Sequence, residues 1–229
     1  DEGQTKLMAE KLNDCSEDLG SRAVLKNYEK LIFKPAEADV SVNLGWFWHN
    51  NLYYLFKKQR TAEDLANIYF NTVGGNASML LNVPPDKTGL INKREIKTLK
   101  KFTELINRPF EKEITDVSFF TYSPSGKARD AQSDITLGDG ETGIRLSFKE
   151  NKSIKLISLR EDLTCSQRIE EYKVYAKEPS GEYRCIYTGT VVGSRKIVRL
   201  EKNISTDEIL IIITQARANP VIKDIRVYG

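Results

Sequence analysis

The stretch Gly74–Ile91, "GGNASMLLNVPPDKTGLI", decides how the fold is read. A short apolar run, "SMLLNV", stands between a glycine pair and a proline pair. Upstream, Thr61 followed by Asp64 resembles a capping box, and Leu65, Ile68, Tyr69 and Val73 recur at helical spacing. Gly74 and Gly75 then stop that helix, because glycine readily takes a left-handed C-terminal conformation. Downstream, Asn92 and Glu95 form another capping box. There Ile96, Leu99, Thr103 and Ile106 share a face, and Pro109 closes the helix. The apolar run is therefore expected to be a strand buried on both faces, as in a parallel sheet covered by helices. Helix, buried strand, helix is the repeat of an α/β barrel or a doubly wound sheet. In both folds the loops at the C-terminal ends of strands carry the chemistry. "NVPPDKTG" occupies such an end, but Pro84 and Pro85 can simply end the strand and Asp86–Gly89 can be an ordinary turn. We favour that structural reading.

Around this unit the chain divides by pattern. Residues 1–112 alternate helices and short strands, beginning with a helix capped by Ser21 over "RAVLKNYEKLIF". Residues 113–229 read as strands. "EYKVYAKEPSGEYRCIYTGT" alternates, turns at Pro179-Ser180-Gly181 and alternates again; "KIVRLEK", "EILIIIT" and "VIKDIRVY" follow. Many short strands with Gly, Pro, Ser and Asp between them predict a sandwich or jelly roll. The expected class is thus α+β.

Composition narrows the function. The chain of 229 residues is 40% hydrophobic and 29% charged, the profile of a globular protein. A formal charge of +3, evenly spread, argues against nucleic acid, and the clusters "FKKQR" and "LKK" read as solvated faces. No apolar run approaches the roughly 18 residues of a membrane span. Cys15, Cys165 and Cys185 show no metal spacing, and their odd number does not make a disulfide framework. His49 is the sole histidine, so a Ser-His-Asp triad or a His-rich metal site would have to be built on that one residue. The opening "DEGQTKL" shows no signal peptide, and a removed one would look the same.

One segment concentrates chemistry: "PAEADVSVNLGWFWHN", Pro35–Asn50, which holds both tryptophans and the histidine. Glu37 and Asp39 would point the same way on a strand. Aromatic faces with nearby carboxylates could line a sugar pocket, or the segment could be a core strand followed by aromatic packing. Both readings stand on the residues alone.

The same segment resembles the "PAE-D-S-…GWF-H" motif of glycoside hydrolase family 29 α-L-fucosidases, in the subgroup acting on α-1,3/1,4-linked fucose. "VGGNASMLLNVPPDKTGLI" is similar to that family's "VG-N--LLLN-PP---G-I", and "LGSRAVL" also resembles it. "LISLREDLTCSQRIEEYKVYA" is similar to a segment of the following sandwich, with Ser166 where glycine is usual; "VVGSRKIVRL" and "NPVIKDIRVYG" resemble later ones. The resemblance implies a retaining glycosidase on a (β/α)8-type barrel. One carboxylate attacks the anomeric carbon, a second acid protonates the leaving oxygen, and no cofactor is needed. It also implies that the "DGA"-type segment with the nucleophilic aspartate and the "GNE" segment with the acid/base glutamate lie upstream of the motifs present here. The chain is then expected to be the C-terminal part of such an enzyme and catalytically incomplete alone. Residues 1–112 would be the end of the barrel and residues 113–229 a jelly-roll or discoidin-like sandwich.

Carried over by motif, Glu37, Trp46, His49 and Asp39 are the substrate-binding candidates, with a structural role for Asp39 equally open. The expected partner is a fucosylated oligosaccharide, with no nucleic acid and no membrane. A barrel lacking strands would pair with its remaining portion or form a homodimer, since open edges and apolar faces demand cover. The family implies a periplasmic or secreted location. A second reading, a carbohydrate-binding discoidin-like module, would use the loops near Tyr122, Asp130, Asp134, Asp139 and Glu141. Those acidic residues read as solvated loops rather than a metal site, so no metal is expected. A third reading has the sandwich bracing the barrel and binding nothing.

Overall fold

The computed structural model describes residues 26–27, 29, 36–49, 59–132 and 134–229. The helix expected after Ser21 falls mostly outside them. The fold is mostly sheet. Among the described residues no helix is long and apolar enough to cross a membrane.

The first layer is a parallel pair, β1 (Glu37–Ser41) and β2 (Ser78–Asn82), joined through helix α1 (Ala62–Thr72) and followed by helix α2 (Lys93–Asn107). Thr61 caps α1 with the full reciprocal box: its hydroxyl accepts from the Asp64 amide at 3.0 Å, and its amide donates to the Asp64 carboxylate at 2.9 Å. The helix buries Ala62, Leu65, Ala66 and Phe70. Its exit differs from the expectation, because neither glycine takes positive φ; Asn76 does, at 70°. The glycines are needed for close approach instead. A Cβ on Gly74 would sit 2.3 Å from the Phe70 carbonyl oxygen, and one on Gly75 would sit 2.4 Å from that of Asn71.

Strand β2 also differs from the expectation. Glu37 pairs with Ser78, Ala38 with Met79, Asp39 with Leu80 and Val40 with Leu81. One face, with Ala38, Val40, Met79 and Leu81, packs into the cluster shared with the helices. The other, with Glu37, Asp39 and Leu80, is bare, and Leu80 is 54% exposed. The strand is thus covered on one side only, because nothing among the described residues packs over the second face.

Helix α2 departs from its expected cap. Asn92 accepts from the Arg94 amide at 2.9 Å, but Glu95 does not return the bond and turns into the protein at 2% exposure. The buried face therefore runs through Glu95 and Phe102, and Ile96 is left 39% exposed. The helix ends at Asn107 and passes into a 3-10 turn, Arg108–Phe110, that contains Pro109.

The remaining strands are β3 (Val117–Tyr122), β4 (Asp130–Ala131), β5 (Ile135–Thr136), β6 (Gly143–Glu161), β7 (Ile169–Lys177), β8 (Tyr183–Gly189), β9 (Lys196–Ala216) and β10 (Val221–Tyr228). All their pairings are antiparallel, in the order β4-β3-β6-β9-β7-β8, with β10 joining β6 to β5. The two segments expected as separate strands, "KIVRLEK" and "EILIIIT", are one strand of 21 residues. Both β6 and β9 run the length of the sheet. The first half of β6 pairs with β3 and its second half with β10, while β9 lies along its other edge. Their inward side chains, with those of β7 and β10, enclose one apolar core that includes Ile144, Leu146, Ile157, Val174, Ile209 and Val227. The expected hairpin at Pro179–Gly181 is present: Gly181 has φ 88°, and its amide donates to the Glu178 carbonyl at 2.8 Å.

Two kinds of contact join the layers. Leu156, Ile197 and Tyr228 of the antiparallel sheet belong to the apolar cluster of Val40, Leu65, Phe70 and Phe102. Phe110 meets Tyr228 edge-on at 5.1 Å, and Arg199 lies over Phe70 at 4.6 Å. Beside this interface sits a polar clasp on Asn76. Its Oδ1 accepts from the Ser194 amide at 2.7 Å and the Ser194 hydroxyl at 2.9 Å, and its Nδ2 donates to Gln167 at 3.1 Å. Its amide donates to the Arg195 carbonyl at 3.0 Å. Behind the clasp, the buried Glu161 carboxylate accepts the amides of Arg168, Ile169 and Gly193 at 2.7, 2.9 and 2.7 Å. "VGGN" and "CSQRI", far apart in sequence, meet here.

Candidate functional site

The candidate site is the C-terminal end of β1 and the turn that follows it. Three residues shape the base of the turn. The Ser41 hydroxyl donates to the Gly45 carbonyl at 2.7 Å. Asn82, the last residue of β2, donates from Nδ2 to the Trp46 carbonyl at 2.9 Å and to the Ser41 hydroxyl at 3.0 Å. Arg60 donates from Nε to the Ser41 carbonyl at 3.0 Å. Parallel pairing continues one residue past the strands, with the Val42 amide donating to the Asn82 carbonyl at 3.0 Å.

On this base the turn presents its aromatic residues. Trp46 is 49% exposed and Phe47 is 78% exposed, while Trp48 and His49 are half-buried. Large apolar rings left open to solvent are what a pyranose could stack on, since its C–H face is apolar and its hydroxyls want polar partners. Asp39 and Glu37 stand on the bare face of β1, both exposed and on the same side. Glu37 is at the start of the strand. Four residues at about 3.3 Å each separate it from Ser41 by about 13 Å. Trp46 and His49 therefore lie at the loop end of the strand, Asp39 midway and Glu37 at the far end.

Two buried residues of this neighbourhood were not legible as site residues. Asn43 and Glu95 are each 2% exposed, and Asn43 Nδ2 donates to Glu95 Oε1 at 2.7 Å. The one signal available was that Glu95 interrupts the apolar stripe of α2, and the nearby Asn92 gave it a capping explanation.

The loop after β2 is built for itself. Asp86 accepts from the Thr88 amide at 2.8 Å, the Thr88 hydroxyl at 2.6 Å and the Leu90 amide at 3.1 Å. These bonds, led by that of the Thr88 hydroxyl, hold its pKa below the usual carboxylate value. Gly89 at φ 83° closes the turn. In the antiparallel sheet, the Glu141 carboxylate is gripped by Arg129 at 2.8 and 2.9 Å and accepts the Gly138 amide at 2.7 Å. The Arg129 bond, ahead of the Gly138 amide, lowers its pKa to about 2. Among the described residues no group of three or more His, Cys, Asp or Glu side chains could hold a metal.

No family model matches the chain. It is 30% identical over 209 residues to α-L-fucosidase 1 of Arabidopsis thaliana, a match covering 85% of this chain and 40% of that protein. The fold is similar to the crystal structure of SpGH29 (28% identity, TM-score 0.69), covering 86% of this chain and 44% of that one. It is also similar to a GH29 fucosidase variant from Ruminococcus gnavus in complex with fucose (27% identity, TM-score 0.70), covering 85% and 41%. The chain thus spans well under half the length of each.

Proposed function

We propose that the chain, the C-terminal portion of a glycoside hydrolase family 29 α-L-fucosidase, supplies the last part of a (β/α)8-type barrel and the β-sandwich behind it. The whole protein is then a retaining fucosidase that removes terminal α-1,3/1,4-linked fucose from oligosaccharides or glycoconjugates. In such an enzyme an aspartate attacks the anomeric carbon while a second carboxylic acid protonates the departing oxygen; water then hydrolyses the fucosyl-enzyme.

The observation that carries this reading is the one-sided cover of the β1–α1–β2–α2 unit. Parallel strands in a βαβ unit are covered by helices on one side. In a barrel the second side faces the lumen, where neighbouring strands cover it. Here that side carries Glu37, Asp39 and Leu80 and is bare, while the aromatic turn stands at the C-terminal end. Residues 1–112 serve as barrel and residues 113–229 as brace. Trp46 and His49 line the fucose or adjoining subsite. Asp39 contributes from midway along the strand, and Glu37 deeper in the lumen. The nucleophile and the acid come from the rest of the enzyme, so the chain alone is inactive until it pairs with that portion. The protein acts in the periplasm or outside the cell, which fractionation of the full-length protein would test.

The test is fucose release from a chromogenic α-L-fucoside, by the 229-residue chain and by the whole protein, each beside its Trp46→Ala variant. The chain alone should release none. The whole protein should release fucose and lose most of that activity in the variant. Release by the chain alone would overturn the division of labour. A whole protein inactive on every fucoside would overturn the reading.

A further inference from the structure

We infer that Glu95 is a positioning residue for the aromatic turn: its buried carboxylate grips Asn43 and so sets where Trp46 and His49 stand. The inference rests on the proposed function only for what the turn binds; the positioning itself is a matter of geometry.

A turn is held either by burying its own side chains or by polar anchors at its base. This one leaves Leu44, Trp46 and Phe47 at 51%, 49% and 78% exposure, so these three side chains gain little from burial. Its anchors must then fix it. Those from Ser41 and Asn82 act on the turn's own backbone carbonyls at Gly45 and Trp46, and that from Arg60 on the Ser41 carbonyl at the strand end. The Asn43–Glu95 bond is of another kind. It joins two side chains 52 residues apart, both buried, and ties the turn to helix α2. A bond to a carboxylate is short and directional, and this one measures 2.7 Å.

Glu95 sits in the first turn of α2, where the helix N-terminus favours a negative charge. Even so, a carboxylate is a poor choice for stability at a position nearly sealed from water. Its second oxygen, Oε2, is buried without a hydrogen-bond partner among the described residues. An apolar side chain would extend the stripe of Leu99 and Phe102 without that desolvation cost. What the carboxylate gives in exchange is a fixed place for Asn43, and with it the start of the turn.

The chain contains its own reporter, because Trp46 and Trp48 are its only tryptophans and both lie in the turn. The experiment measures tryptophan emission and acrylamide quenching of the 229-residue chain and its Glu95→Ala, Glu95→Gln and Asn43→Ala variants, with far-UV circular dichroism to confirm folding. Glu95→Ala and Asn43→Ala should shift the emission red and raise quenching in the folded state. Glu95→Gln keeps an oxygen that can accept from Asn43 and should stay near wild type. Unchanged quenching in folded Glu95→Ala would overturn the inference. If Glu95→Ala does not fold, unchanged quenching in Asn43→Ala would overturn it. In the whole protein, Glu95→Ala should lower kcat/KM for a fucoside by up to about 100-fold, the scale of a 1 Å misplacement, with Gln restoring most of it. Altered fluorescence in a protein that cleaves no fucoside would uphold the positioning and remove only the fucosidase reading.

Discussion

Replacing Asn76 by alanine should cost about 2.5–4 kcal/mol, and the sum can be built from its contacts. Its side chain accepts two hydrogen bonds from Ser194 and donates one to Gln167. At about 0.5–1 kcal/mol each for partly exposed neutral bonds, these contribute about 1.5–3 kcal/mol. Its backbone, at φ 70°, lies in the left-handed region that asparagine tolerates and alanine enters at about 1 kcal/mol or more. The two contributions separate experimentally. Asn76→Gly loses the same three bonds but removes the strain, so it should be the milder change. Asn76→Asp keeps both acceptor bonds and fails only toward Gln167, so it should be milder still. Urea denaturation followed by circular dichroism would rank them: wild type, Asp, Gly, Ala. If Asn76→Ala unfolded at the wild-type midpoint, or Gly fell below Ala, the clasp would not be the link described.

Other consequences are quick to check. Glu161→Ala leaves two buried amides and one half-buried amide without their carboxylate acceptor and should lower stability by about 3–5 kcal/mol, seen in the urea midpoint. Ser166 has φ 75° and ψ 162°, a region almost reserved for glycine, so Ser166→Gly should raise stability by about 1 kcal/mol or more, read from the same midpoint. The Glu141 pKa is depressed in the folded state, from 4.5 to about 2. Its contribution is therefore present above about pH 4.5 and is lost as pH falls through about 2. The stability gap between wild type and Glu141→Gln should close across that window.

What could be read in the sequence was local. The Thr61–Asp64 box spans one helical turn, and the Pro179–Gly181 hairpin is closed by its own residues; both depend on near neighbours alone. Ser166 stood out by resemblance as a substitute for glycine, and its positive φ supplies the physical reason for glycine there. Misreadings arose where a distant partner decided. Asn92 and Glu95 have the spacing of a cap, but Asn43 takes the carboxylate. Gly74 and Gly75 read as a left-handed exit. Instead Ile197 comes so close that its Cβ would lie 3.0 Å from a Cβ on Gly74, and the positive φ falls on Asn76, where the clasp holds it. The stretch "NISTD" between "KIVRLEK" and "EILIIIT" read as a break, although β9 runs through it and, past a register shift, pairs Ile204, Ser205 and Thr206 with β6. The binding candidates came from motif likeness, and the anchors beneath them came only from the fold.

The apolar seam between the two layers limits how the protein can be divided. Cutting before Glu113 to obtain the antiparallel sheet alone would uncover Leu156, Ile197 and Tyr228, which are 1%, 6% and 5% exposed in the intact chain. Arg199 and Arg195 would also lose the rings of Phe70 and Phe110 beneath them. Such an excised piece would carry a sticky patch of its own making. A soluble version needs those three positions rewritten as polar residues, and any sugar binding measured on the raw fragment would first have to be distinguished from that new surface.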